Sequence, residues 1–312
     1  MTMYQPTYVR APLVTPRPYG LLSVVQTPLD DIDKIHWQMG VEFQADPCDA
    51  AETTLDPCPS AGSGYPKPAT ADGLPARGAQ SFTVYASLPC SPVGGYWDEA
   101  KARITAHLTN GEARAVEETF WTGTISSPVT GVVYPHLAAD AEVESDGLSP
   151  VLLQTAATVL VTGVVDVVEG IGLLEAALGS CFGGVGVIHA PLATLTHMAA
   201  NHIVTTRGGK AYTPSDTPVA FGAGYPGTSP AGATPDTGNV WLYATGPVMM
   251  RRSEINIRAD QKQSLDRNVN TLTMIAERTY NLSWDCCHFA VQVSLGGIVT
   301  GAPNSPVEVV GP

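Results

Sequence analysis

DEAKARITAHLTNGEARAVEETFWTG, residues 98–123, is the clearest helical pattern in the chain. Asp98 is placed to cap the start and Glu99 follows in the first turn, where carboxylates meet unpaired N–H groups and the positive end of the helix dipole. Trp97, Ala100, Ile104, Leu108, Val116 and Phe120 fall near one helical face. Asn110-Gly111 is a candidate break or bend midway, and Gly123 a stop.

Upstream, five prolines within residues 1–30 (Pro6, Pro12, Pro16, Pro18 and Pro28) disfavour helix and favour extended chain, so this segment reads as an arm rather than a folded unit. His36 to Gln44 alternates polar and apolar residues, the period of a strand. Residues 48–78 are rich in Pro, Gly, Ser, Asp and Ala and read as a long loop, followed by a second β-prone run, SFTVYASL, at 81–88. Two strands around a long tip predict an extended hairpin, an element that buries little of itself and needs a neighbour.

Downstream, a helix is expected after Ser149-Pro150, with 164–177 apolar and carrying spaced acids. GGVGVIH (183–189) reads as a strand, Pro191 to His202 as a short helix, 210–223 as short strands and turns, and 224–238 as a loop. VWLYAT (240–245), 248–258, the end of 268–281, and 287–295 are β-prone. The last dozen residues, from Gly301, read as a tail.

Of 312 residues, 44% are hydrophobic, enough for a real core, so wholesale disorder is excluded. The length fits one large domain or two modest ones. Only 14% are charged, below the usual ~25%, which suggests a surface largely covered by partners. Neither a collagen period nor a sustained heptad is present. The net charge of −13 lacks the basic footprint of a nucleic-acid groove binder, though it is compatible with enclosing nucleic acid at a distance. Residues 1–20 contain no apolar signal core, and 151–178 is interrupted by Asp166, Glu169 and Glu175, so the expectation is a cytosolic chain with no membrane span. Six cysteines are too few for a disulfide scaffold in a chain this long, and reduced, partly buried thiols are expected.

Candidate chemistry is sparse. His189, His197, His202 and Cys181 could be drawn as a metal site, but only His197-x4-His202 approaches ligand spacing, which favours a structural reading. Cys286-Cys287-His288 invites a thiol mechanism, yet neighbours on a strand face opposite ways and cysteines are commonly buried. The glycines at 183, 184 and 186 lack the Lys-Ser/Thr ending of a phosphate loop and read as a turn. There is no G-x-S-x-G nucleophile elbow. Glu112, Glu117 and Glu118 share the main helix, with Glu112 off its apolar face and expected in a solvated or interface role. Arg251-Arg252 is a basic pair that reads either as plain surface or as an intersubunit salt bridge. No catalytic, metal or cofactor-binding residue is assigned, and no cofactor is expected.

The order of elements (arm, long hairpin, main helix, mixed α/β region, final strands) resembles the major capsid proteins of tailed bacteriophages, with their Hong Kong 97-type fold. Residues 98–123 are similar to the family's spine helix, Gly186 to Ala200 (GVIHAPLATLTHMAA) to the axial-domain strand and helix, and Thr217 to Gly224 (TPVAFGAG) to the strand after it. Val240 to Arg278 resembles the return to the peripheral domain, and Trp284 to Leu295 its closing strand. The resemblance implies an α+β fold with an N-terminal arm at 1–35, an extended β-hairpin loop at 36–90, a peripheral domain with the spine helix at 91–149 and 246–312, and an axial domain at 150–245. It implies a structural, non-enzymatic virion protein, assembled in the host cytoplasm into hexamers and pentamers of an icosahedral shell around double-stranded DNA. Arg251, Arg252, Trp37 and Phe43 are the candidate intersubunit contacts. Candidate partners are portal, scaffolding and cement proteins, with no membrane. The Pro-rich N terminus departs from the helical, charged scaffolding segment of some members, which makes scaffolding a separate protein or absent. No Lys among Lys34, Lys67, Lys101, Lys210 and Lys262 is identified as a cross-linking residue.

Three other readings compete. An encapsulin-like nanocompartment shares the fold and differs in its cargo. A metal- or thiol-dependent enzyme would use His189, His197 and Cys286. A tail or decoration protein would form tubes or trimers. On the arm reading, deleting residues 1–30 should leave a folded subunit that assembles poorly.

Overall fold

The computed structural model describes residues 14–15, 17–28, 35–44, 76–90, 97–126, 132–146, 151–258, 265–266, 271–284 and 287–296. In chain order the elements are α1 (Leu21–Val24), β1 (Val41–Gln44), β2 (Ala76–Ala79), β3 (Ser81–Cys90), α2 (Trp97–Thr122), β4 (Val143–Glu144), β5 (Leu152–Gln154) and β6 (Thr158–Asp166). Then come α3 (Val167–Phe182), β7 (Val187–Pro191), α4 (Thr194–Ala200), β8 (Thr205–Arg207), β9 (Lys210–Tyr212) and β10 (Pro218–Gly222). The chain closes with β11 (Asn239–Thr245), β12 (Val248–Arg252), β13 (Asn256–Arg258), β14 (Leu265–Asp266), β15 (Thr271–Trp284) and β16 (His288–Ser294). Strands β1-β2-β5-β4 form one sheet and β6-β16-β11-β7-β10-β9-β8 a seven-stranded one; β15 pairs with β12, β13, β14 and β3 in a third. Among the described residues, no helix is long and apolar enough to cross a membrane.

The central strands of the seven-stranded sheet are buried on both faces, while β6 and β8 at its ends are largely exposed, and strand alternation sorts the central side chains between two cores. Leu242 and Ala244 face a core built with α3 and α4, while Tyr243 between them faces the core built with α2 and β15. Val219 and Phe221 divide from Ala220 in the same way. Helix α2 supplies the second core as its spacing predicts: Ile104, Leu108, Val116 and Phe120 are all buried.

Several expectations are corrected. Asn110-Gly111 does not break α2; a side chain at Gly111 would meet open space, so only the weak helix propensity of Gly opposes continuation. His36–Met39 is a turn of 3-10 helix, and the strand begins only after Gly40. The partner of β1 in the hairpin is β2, not 81–88. β3 instead lies along β15 from Ser81↔Asn281 to Cys90↔Leu272. The loop at 48–78 falls outside the described residues except for its last three positions, which lie in β2, and the tail from Gly301 falls outside them wholly. No helix follows Ser149-Pro150. Residues 158–166 are dominated by Val and Thr, stiff at χ1 and suited to a pleated sheet. Helix α3 starts at Asp166, whose Oδ1 accepts from the N–H groups of Val168 (2.7 Å) and Glu169 (3.0 Å). The strand expected at 183–189 runs 187–191, and 248–258 is two strands, β12 and β13, both on β15.

Part of the N-terminal segment is folded. Leu21 is fully buried and Val24 nearly so, the Phe221 N–H donates to the Tyr19 carbonyl, and Gln26 bridges Met249 beside β12. Deleting residues 1–30 would therefore remove core side chains, and it is not a clean test of an arm.

The cysteine expectation is also corrected: Cys181, near the end of α3, is disulfide-bonded to Cys287. Cys287 lies where the chain crosses from β15 into β16, beside the 246–247 crossing from β11 to β12, and its carbonyl accepts from Gly246 N–H. The bridge spans 106 positions of sequence. Closing so long a loop restricts the unfolded chain, so reduction or Cys287→Ser is expected to lower stability by ~2–4 kcal/mol. Denaturant unfolding with and without reductant checks this; coincident curves would contradict it.

Candidate assembly surfaces and buried polar anchors

Glu112 is buried, which corrects its expected solvated role. Both its oxygens lie 3.0 Å from Nη1 of Arg278, and the Tyr280 hydroxyl donates to Oε2 at 2.8 Å. Burial and the adjacent carboxylate push the Tyr280 hydroxyl up to about 12, so it stays a donor. Glu117, one and a half turns on, is buried too. Its two oxygens accept from Leu21 N–H (3.1 Å) and Gly224 N–H (3.0 Å), tying α1 and the loop after β10 to α2. Burial raises its carboxyl above the ordinary value, while those backbone donors pull the other way. Glu118 is exposed.

The residues drawn as a metal site do not converge. His189 is fully buried on β7, 3.2 Å from the Tyr225 hydroxyl and 3.0 Å from Thr245 Oγ1. His197 is half-buried on α4, His202 is exposed beyond it, and Cys181 is in the disulfide. Among the described residues, no group of three or more His, Cys, Asp or Glu side chains is placed to hold a metal. Cys286 lies outside the described residues. His288 lies between the carbonyls of Thr155 (3.1 Å) and Leu137 (2.9 Å). The glycine run divides: Gly183 ends α3 at φ 68°, and Gly186 packs so closely on the Thr245 carbonyl that a Cβ would lie 2.0 Å from its oxygen.

Burial lowers His189 from the usual 6.5 to about 3; burial lowers His288 as well, while its two backbone carbonyls pull the other way. Well above pH 6.5 His189 is neutral in folded and unfolded chains. As pH falls from there toward 4, only the unfolded chain takes up its proton, so stability drops, by about 1.4 kcal/mol per pH unit. His136, also lowered by burial, adds in the same sense; Glu117 opposes it near the carboxylate range. Urea unfolding at pH 7, 6 and 5 is expected to show a progressive loss, and pH-independent midpoints would contradict it.

On the outer side of the third sheet lies an open groove of about 980 Å3, with Trp37, Tyr85, Arg252, Arg258, Glu277 and Arg278 in its walls. Arg258 pairs with Glu277 at 2.7 Å. Of the candidate contacts, Arg252 is exposed and Arg251 half-buried on β12, Phe43 is half-buried on β1, and Trp37 is buried in the groove wall. The groove thus brings Trp37 and Arg252 together; Arg251 and Phe43 do not line it.

No family model and no curated protein matches the sequence. Solved structures do match in fold. A chain from Mycobacterium phage Adephagia aligns over 94% of this chain and 96% of its own, at 11% identity and a TM-score of 0.53. A chain from Gordonia phage Cozz aligns over 94% and 91%, at 12% identity and a TM-score of 0.51. The capsid of an empty GTA particle aligns over 92% and 100%, at 11% identity and a TM-score of 0.51. The chain has the Hong Kong 97-type capsid fold. Sequence reasoning found helix α2 and missed its charged anchor. The signal for the anchor was an acid beside an apolar stripe, with its partners 166 and 168 positions away.

Proposed function

We propose that this chain is a major capsid subunit, a structural virion protein whose copies assemble as hexamers and pentamers into an icosahedral shell around double-stranded DNA. The observation that carries the reading is end-to-end likeness to a capsid chain, over 92% of this chain and 100% of that one. The acidic balance, −13, suits a container that must not grip phosphates. On this reading residues 1–35 are the arm and 36–90 the extended loop. Residues 91–149 with 246–312 are the peripheral domain, and 150–245 the axial domain. The role is structural rather than catalytic, assembly takes place in the host cytoplasm, and portal, scaffolding or cement proteins are the partners such a shell would take. Arg251, Arg252, Trp37 and Phe43 are proposed intersubunit contacts, with Arg252 and Trp37 acting through the groove.

The test is sedimentation and nuclease protection on material from producing cells. Fast-sedimenting particles with nuclease-resistant DNA are expected. Particles filled with a protein cargo instead would replace the DNA container with a nanocompartment, and a chain that stays a small oligomer in infected cells would overturn the shell. Deleting only residues 1–13 leaves Leu21 and Val24 in place. This deletion is expected to leave a folded subunit and to reduce particle yield; wild-type yield would remove the arm from assembly.

A further inference from the structure

Arg77 Nε, Trp284 Nε1 and Gln154 Oε1 are buried without a protein partner, and all three residues line one small cavity. They come from separate places in the fold. Arg77 is on β2 at the root of the hairpin, Gln154 ends β5, and Trp284 ends β15 where the chain leaves for the seven-stranded sheet. Gln154 and Trp284 are each more than nine-tenths buried. The Gln154 amide is oriented by its other end, since Nε2 donates to the Ala141 carbonyl at 2.9 Å. A flip would set two oxygens against each other, so Oε1 is the atom left without a partner. The cavity volume is about 10 Å3, and about 10–15 Å3 is what one water needs.

We propose that this cavity is a binding site for a single ordered water that joins Arg77, Gln154 and Trp284. The hydrogen-bond count fits water. The molecule accepts from Arg77 Nε–H and Trp284 Nε1–H and donates to Gln154 Oε1, so all three orphaned groups are satisfied at once. A halide would suit the two donors but would face the Gln154 oxygen with like charge. A larger ligand does not fit the volume. Leaving the three groups unpaired would cost the desolvation of each. The water also supplements a thin connection: β2 meets β5 through the single pairing Arg77↔Leu152. It is therefore a polar node that fastens the root of the hairpin both to β5 and to the end of β15. The inference rests on these contacts alone and does not depend on what the shell encloses.

The test is an experimental map of the wild-type protein that resolves ordered waters, repeated in bromide buffer with anomalous data. The expected result is one peak at about 2.7–3.2 Å from all three atoms, without anomalous signal. No peak overturns the proposal, and an anomalous peak there shows an adventitious ion only. Gln154→Leu is expected to lose the peak; a peak unmoved in that variant overturns the role of Gln154. If the variant does not fold, the wild-type map still decides.

Discussion

Phe120→Asp is expected to yield no folded subunit. Phe120 is 1% exposed, in the last turns of α2. Its ring lies 5.4 Å from His189 on β7 and 5.4 Å, edge-on, from Trp284 on β15, so one side chain joins helix α2 to both large sheets. Beside it, Trp121 packs on Tyr225 and Tyr243 and donates to Thr228 Oγ1 at 3.0 Å. Truncating a buried Phe to Ala costs ~3–5 kcal/mol. Asp adds the burial of a carboxyl without a partner, and a domain has only ~5–15 kcal/mol in total. Phe120→Leu keeps most of the apolar volume and is expected to stay soluble with a smaller loss. Comparing soluble yield and urea midpoints of the two variants checks the contrast. A soluble Phe120→Asp with the wild-type midpoint would show that this face is not core.

Glu112→Ala is expected to lose ~3–5 kcal/mol, because it strands the Arg278 guanidinium and the Tyr280 hydroxyl in a buried place. The Arg278 side chain is only 13% exposed, so water offers little replacement. Glu112→Gln keeps an acceptor and loses the charge, and it should fall between Ala and wild type. The paired change Glu112→Leu with Arg278→Met should recover much of the loss, since a buried ion pair is often no better than an apolar replacement. Equilibrium unfolding of these variants, with the single changes Glu112→Leu and Arg278→Met to complete the cycle, gives the coupling. A Glu112→Ala midpoint equal to wild type would mean the triad does not hold α2 to β15.

What could be read in advance was whatever has a local period. The stripe Ile104, Leu108, Val116 and Phe120 repeats at helical spacing, and each of these side chains is buried. Residues 240–245 (VWLYAT) are a short β-prone apolar run, and β11 lies inside the seven-stranded sheet. The misreadings have physical causes. The strand β2 is ARGA, with no β-branched residue and no apolar alternation, so its pairing with β1 is set by backbone geometry rather than by a side-chain signal. In 158–182 one apolar run holds both β6 and α3. The mark dividing them, Asp166 as a cap, is a single residue with Glu169 three positions on. The partners of Glu112 and of Cys181 lie 100 residues or more away in sequence, where no short-range pattern reaches.

The most direct test is a reconstruction by cryo-electron microscopy of particles from cells that produce the chain. A capsid subunit predicts a closed icosahedral shell whose wall is built from this chain in hexamers and pentamers, with α2 packed on β15 through Glu112 and Arg278. A tube, a trimer set on a shell made of another protein, or no particle at all would contradict it.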